Sequence, residues 1–145
     1  MPIRLVIADD YDGIRENLKA FLSKWPEIDV VGEAKDGEAA VEIVKRLSPD
    51  VVLLDISMPR RNGIEAARSI AQNNPQTRVI ILSAHPDKIY LMDGLKAGIS
   101  GYVLKSFISD DLIPALRAVT ANELFLSPQI ADALNLRRPR QRPQS

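Results

Sequence analysis

The sequence predicts an α/β fold: a doubly wound, five-stranded parallel sheet flanked by five helices. Three observations carry the prediction. Short β-branched runs alternate five times with amphipathic stretches, breaker residues mark the loops between them, and the third and fourth runs are apolar on both faces. Runs of that last kind belong inside a parallel sheet covered by helices on either side.

In chain order, Ile3 to Ala8 reads as the first strand, and Ile14 to Lys24 as a helix with Ile14, Leu18, Phe21 and Leu22 on one face. Asp12 is read as the cap before "GIRENL". Trp25-Pro26 ends that unit. Val30 to Glu33 is the second strand, and Gly37 to Leu47 a helix with Ala40, Val41, Val44 and Leu47 in register. Beyond Ser48-Pro49 come a strand at Val51 to Leu54 and a helix at Ile64 to Asn73, closed by Asn74-Pro75. Val79 to Leu82, Lys88 to Ala97, Tyr102 to Leu104 and Leu112 to Ala121 complete the alternation. Right-handed crossovers then place helices on both faces. In "ELFLSPQIADALNLRR", Ser127 as cap and Pro128 at the first helical position predict a further short helix through about Leu134. The organisation expected is a domain over residues 1–121, an extension over 122–136 and a linker-like tail over 137–145.

The chain has 145 residues, 46% of them hydrophobic and 26% charged, the composition of one ordinary globular domain. It has no cysteine, which excludes disulfides and thiolate chemistry. Its apolar runs are too short for a membrane span or a signal-peptide core, so the expected location is cytoplasmic, with no membrane partner. A formal net charge of zero conceals an asymmetry. The last nine residues, "RRPRQRPQS", hold four arginines and no acid, so the remainder sets 15 basic residues against 19 acidic ones. A mildly acidic body argues against direct nucleic-acid binding by this chain.

In open α/β sheets function collects beyond the carboxyl ends of the strands. The first strand ends at Asp9 and Asp10, the third at Asp55, the fourth at Ser83 to His85 and the fifth at Lys105. Clustered carboxylates repel and need a cation or raised pKa values. An all-oxygen set without His or Cys favours a hard ion such as Mg2+. Lys105 supplies a point charge for a phosphate oxygen and Ser83 one hydrogen bond. A carboxylate can itself accept a phosphoryl group. Taken singly, Asp9 and Asp10 read as helix caps and Lys105 as a solvated surface residue, readings the combination overrides; Tyr102 reads as a half-buried sheet residue, which is compatible with a switch role.

"IADD", "VVLLDISMP" with Gly63 downstream, "ILSA" and "GYVLK" resemble, in order, the landmark motifs of response regulator receiver domains of two-component signalling, the CheY-like family. The resemblance covers roughly residues 3 to 121 and implies a flavodoxin-like strand order of 2-1-3-4-5. It implies Asp55 as phosphoacceptor from a sensor histidine kinase. Mg2+ would be held by Asp10, Asp55, Asp9 mainly through water, and the backbone carbonyl of Ser57. Lys105 would pair with phosphoryl oxygens, with Ser83 and Tyr102 as switch residues. Pro59 and Gly63 would shape the loop after Asp55, where backbone angles are restricted.

"GIEAAR", "LKAGISGYVLKS" and "LIPALRAVTANELFLSP" resemble the NarL/FixJ branch, which usually precedes a LuxR-type DNA-binding domain. Lys105 is followed by Ser106 where many receivers have proline, so a cis peptide there is less expected. The Arg- and Pro-rich ending resembles an interdomain linker cut short, giving transcriptional control through a domain outside this chain; a stand-alone receiver or a phosphate-independent interaction module is the alternative. The implied output surface is the face of the fourth helix, fifth strand and fifth helix, or another helical face, used in a phosphorylation-dependent homodimer. Ser57 and His85, two residues beyond Asp55 and Ser83, would tune dephosphorylation, and Arg60 and Arg61 could attract an acidic partner. The protein is expected to be a regulatory phosphoacceptor and not an enzyme. A carboxylate-nucleophile phosphatase would want an acid at Ser57, and a flavodoxin-type cofactor binder would not have "DDYDG" after its first strand.

Overall fold

A computed structural model describes residues 2–56, 58 and 62–133. The strands are β1 (Ile3–Ala8), β2 (Ile28–Ala34), β3 (Val51–Asp55), β4 (Arg78–Ser83), β5 (Gly101–Leu104) and β6 (Phe125–Leu126). The helices are α1 (Asp12–Leu22), α2 (Gly37–Leu47), α3 (Gly63–Asn73), α4 (Lys88–Ala97), α5 (Ile108–Thr120) and α6 (Pro128–Ala133). All strand pairs are parallel, in the order β2-β1-β3-β4-β5-β6. The doubly wound sheet is thus the one expected, with a sixth strand added at its edge. Among the described residues, no helix is long and apolar enough to cross a membrane.

Strand alternation divides the core in two. Leu5, Ile7, Val51, Leu53, Ile80 and Leu82 pack with Leu18 and Leu22 of α1 and with Leu112 and Leu116 of α5. Val6, Ala8, Val52, Leu54, Val79 and Ile81 pack with Val41 and Val44 of α2, Ala67 and Ile70 of α3 and Leu91 of α4. Each fully buried Leu or Ile contributes about 1.5–3 kcal/mol. β1 and β3 are neighbours although β2 lies between them in sequence, so the chain reverses direction across the sheet at that seam. Their register pairs Ala8 with Leu54, bringing Asp9 and Asp55 out abreast.

Two local readings are corrected and a third is refined. Tyr11, not Asp12, is the N-cap of α1; Asp12 is already helical, and its carboxylate pairs with Arg15. α5 begins at Ile108, four residues before the predicted start, after a 3-10 turn at Lys105–Phe107. Asp110 and Asp111 in its first turn suit the positive end of the helix. Gly63 does not have positive φ. It is required for space, since a Cβ there would lie 2.7 Å from Ile56 Cα and 2.8 Å from the Asp55 carbonyl oxygen. The left-handed glycine is Gly98, which closes α4 at φ 102°. No cis peptide occurs among the described residues, including Lys105–Ser106.

The extension after α5 joins the same sheet. Gly101 pairs with Phe125 and Tyr102 with Leu126 in β6. Ser127 stands before Pro128 as expected, but its buried hydroxyl accepts from the Leu104 N–H at 3.2 Å, tying α6 to β5. Ile130 is fully buried among the residues on the α2–α4 side of the sheet. Leu134, the predicted end of α6, and the tail over 137–145 lie outside the described residues. Ile130→Ala should cost about 2–5 kcal/mol of unfolding free energy, read as a lower urea midpoint at unchanged slope. An unchanged midpoint would make α6 peripheral to the core.

Candidate functional site

Parallel strands deliver their carboxyl ends to one edge, and that geometry assembles the site. Asp9 follows β1 and Asp55 ends β3; both are buried, Asp9 completely and Asp55 to 3% exposure. Asp10, the next residue, is exposed. Carboxylate oxygens of Asp9, Asp10 and Asp55 all lie within 4.8 Å of one another. Lys105 enters from the start of the 3-10 turn after β5. Its Nζ lies 3.1 Å from Asp55 Oδ1 and 3.5 Å from Asp9 Oδ2.

Asp9 is under electrostatic load. Its Oδ1 accepts from the Tyr11 N–H at 3.0 Å, while Oδ2 is buried without a hydrogen bond. Burial pushes its carboxyl above the usual range, and the charge of Asp55 adds to that. The Tyr11 N–H and Lys105 work in the opposite direction without cancelling it. A buried carboxylate oxygen met only by a long contact to Lys105 and facing two further acids is the environment that a hard cation relieves. The all-oxygen donor set fits Mg2+.

Ser83 ends β4 abreast of Leu104. Its hydroxyl donates to the His85 carbonyl at 2.8 Å and so is turned toward the loop leading to α4. The Asp87 side chain caps α4 by accepting from the Tyr90 N–H. Tyr102 is fully buried, and its hydroxyl makes no well-formed hydrogen bond. Burial pushes the phenol up, and the nearby Ser83 hydroxyl offsets only part of this. His85 is exposed. Ser57, Pro59, Arg60 and Arg61 lie outside the described residues.

The structure therefore brings together Asp9, Asp10, Asp55 and Lys105, and sets Ser83 and Tyr102 on the two adjacent strands beside them. The sequence reading missed Arg15. From α1 its Nη1 donates to the Asp9 carbonyl oxygen at 2.6 Å and its Nε to Glu33 Oε1 at 3.0 Å. A signal was present: a cation in the opening turns of a helix faces the unfavourable end of the helix dipole, so an arginine there implies acceptors.

Comparison with known proteins identifies the family. The model of the response regulator receiver domain matches residues 5–117. The transcriptional regulatory protein DegU of Brevibacillus brevis is 42% identical over 132 residues, covering 91% of this chain and 56% of that protein. The nitrate/nitrite response regulator protein NarL of Escherichia coli strain K12 is 34% identical over 133 residues, covering 92% and 62%. The chain thus spans little more than half the length of these curated relatives. A crystal structure of a two-component response regulator of the LuxR family from Aurantimonas sp. SI85-9A1 superposes with a TM-score of 0.88 at 32% identity, covering 94% of this chain and 97% of that one. With a receiver model spanning most of its length and relatives of these types, the chain belongs to the response regulator receiver domain family, on its NarL and LuxR-type branch.

Proposed function

We propose that Asp55 accepts a phosphoryl group from a phosphohistidine of a sensor histidine kinase, and that the change at the strand ends controls a downstream output. The observation that carries the reading is a carboxylate 3% exposed at the end of a central strand, paired with Lys105 and within reach of two further acids. An Asp55 carboxylate oxygen attacks phosphorus, the P–N bond breaks, and the imidazole leaves with its electron pair. Lys105 neutralises oxygens of the transferred group, and rotation of the Ser83 hydroxyl gives it a donor. Mg2+, when bound by Asp9, Asp10, Asp55 and the Ser57 carbonyl, supplies charge neutralisation. Attack by water at phosphorus later restores the carboxylate. The cycle is that of a regulatory phosphoacceptor and goes with a cytoplasmic location.

The output proposed is transcription, through a DNA-binding domain outside this chain. A relative named as a transcriptional regulatory protein, DegU, of which this chain spans only part, supports that assignment. For the partner surface, α4 is the element that stands out: Ile89, Tyr90, Met92 and Leu95 are all solvent-exposed. This apolar face supports a phosphorylation-dependent homodimer built on α4, β5 and α5. β6 occupies the outer edge of β5, so the face would include the extension.

Incubation with acetyl phosphate and Mg2+ should add one hydroxylamine-labile phosphoryl group, read by intact mass, and Asp55→Ala should add none. A wild-type chain labelled neither by small phosphodonors nor by a phosphorylated kinase would overturn the reading.

The raised pKa of Asp9 gives a second test. A carboxyl that holds its proton more tightly folded than unfolded favours the fold most below its ordinary pKa of 3.8. That contribution falls as pH rises through the folded value. At pH 7 without divalent cations, Asp9→Asn should therefore raise the urea midpoint. Mg2+ should raise the midpoint of wild type and leave the variant nearly unmoved. A variant no more stable than wild type in the absence of metal would contradict the charge assignment.

A further inference from the structure

Arg15 has all three arms of its guanidinium engaged. Nη1 donates to the Asp9 carbonyl oxygen, Nε to Glu33, and Nη2 pairs with Asp12. The side chain is 12% exposed, so these are not loose surface contacts. Glu33, near the end of β2, is itself braced: its second oxygen receives Lys19 Nζ at 2.6 Å, and Lys19 also pairs with Glu16 at 2.9 Å. These cations hold the Glu33 carboxyl below its usual range, Lys19 contributing most. The guanidinium is therefore fixed from the neighbouring strand as well as from its own helix.

The carbonyl it grips belongs to the peptide joining Asp9 to Asp10. Asp9 is anchored on its own account by Tyr11 and Lys105. The exposed Asp10 side chain makes no hydrogen bond or ion pair with any described residue, so the orientation of the preceding peptide is what directs it. We propose that Arg15, held by Glu33, is a positioning residue: it presets the Asp9–Asp10 peptide so that both carboxylates face one cation, although the guanidinium itself touches no ion. This rests on the reading of Asp9, Asp10 and Asp55 as a Mg2+ site.

Charge and positioning make opposite demands, which renders the proposal testable. By Coulomb repulsion alone, removing a cation beside a cation site tightens Mg2+ binding. If Arg15 positions the acid pair, removing it weakens binding, as loss of an outer hydrogen-bond partner does at metal sites, by about 10-fold to 100-fold. Mg2+ affinity of the 145-residue chain, measured by titration calorimetry with circular dichroism as the control for folding, should fall at least about 10-fold for Arg15→Gln. Arg15→Lys keeps the charge but loses the three-way fork, and should also bind more weakly. Arg117→Ala, which breaks the exposed Arg117–Glu27 pair, should leave affinity unchanged. Equal or tighter binding by folded Arg15→Gln overturns the positioning role and leaves the Mg2+ site standing. A wild-type chain that binds no Mg2+ overturns the site itself. If Arg15→Gln does not fold, Glu33→Gln carries the test: it should raise the dissociation constant by a smaller factor, and an unchanged value overturns the proposal.

Discussion

The Lys105 ammonium bridges two buried carboxylates. Lys105 Nζ lies 3.1 Å from Asp55 and 3.5 Å from Asp9. The clustering of acids is a product of topology. Apolar strands covered on both sides leave the acids no route to solvent except past the strand ends, and parallel register brings β1 and β3 out level. The fold concentrates charge at its edge, and the site's chemistry is a response to that concentration.

Much of the surrounding structure keeps that edge narrow. α3 starts so close behind Asp55 that Gly63 has no room for a side chain, and the Gly63 N–H donates to the Ile56 carbonyl. β5 presents Lys105 only because it ends level with β4, Leu104 being abreast of Ser83. The Leu104 N–H is in turn held by Ser127, a residue of the extension, so the strand that carries the lysine is secured from beyond α5. Small displacements of any of these elements would alter distances on the scale of an ion pair.

The alternation of β-branched runs with helical periodicity was plain enough that β1, α2 and α4 have the bounds expected for them. The core acids and Lys105 were legible for the same reason: each is the first polar residue after an apolar run. What escaped detection depends on partners distant in sequence. β6 is two residues long and exists by pairing with Gly101 and Tyr102, a property its own residues do not encode. Ser127 carries a capping signal, yet its oxygen answers to an N–H 23 residues away. Asp12, a local exception, has the composition of a cap but begins the helix and pairs with Arg15. Arg15 lies on a helix whose apolar stripe drew the reading to its other face.

The Ser83 hydroxyl has a single proton, and in this structure it goes to the His85 carbonyl. An acceptor arriving above Asp55 can receive that proton only if His85 gives it up. His85 lies two residues before Asp87, the cap of α4, so the exchange takes place beside the start of that helix. Proton count alone thus sets any such acceptor in competition with the His85 carbonyl for one hydrogen bond, a competition built from one side chain.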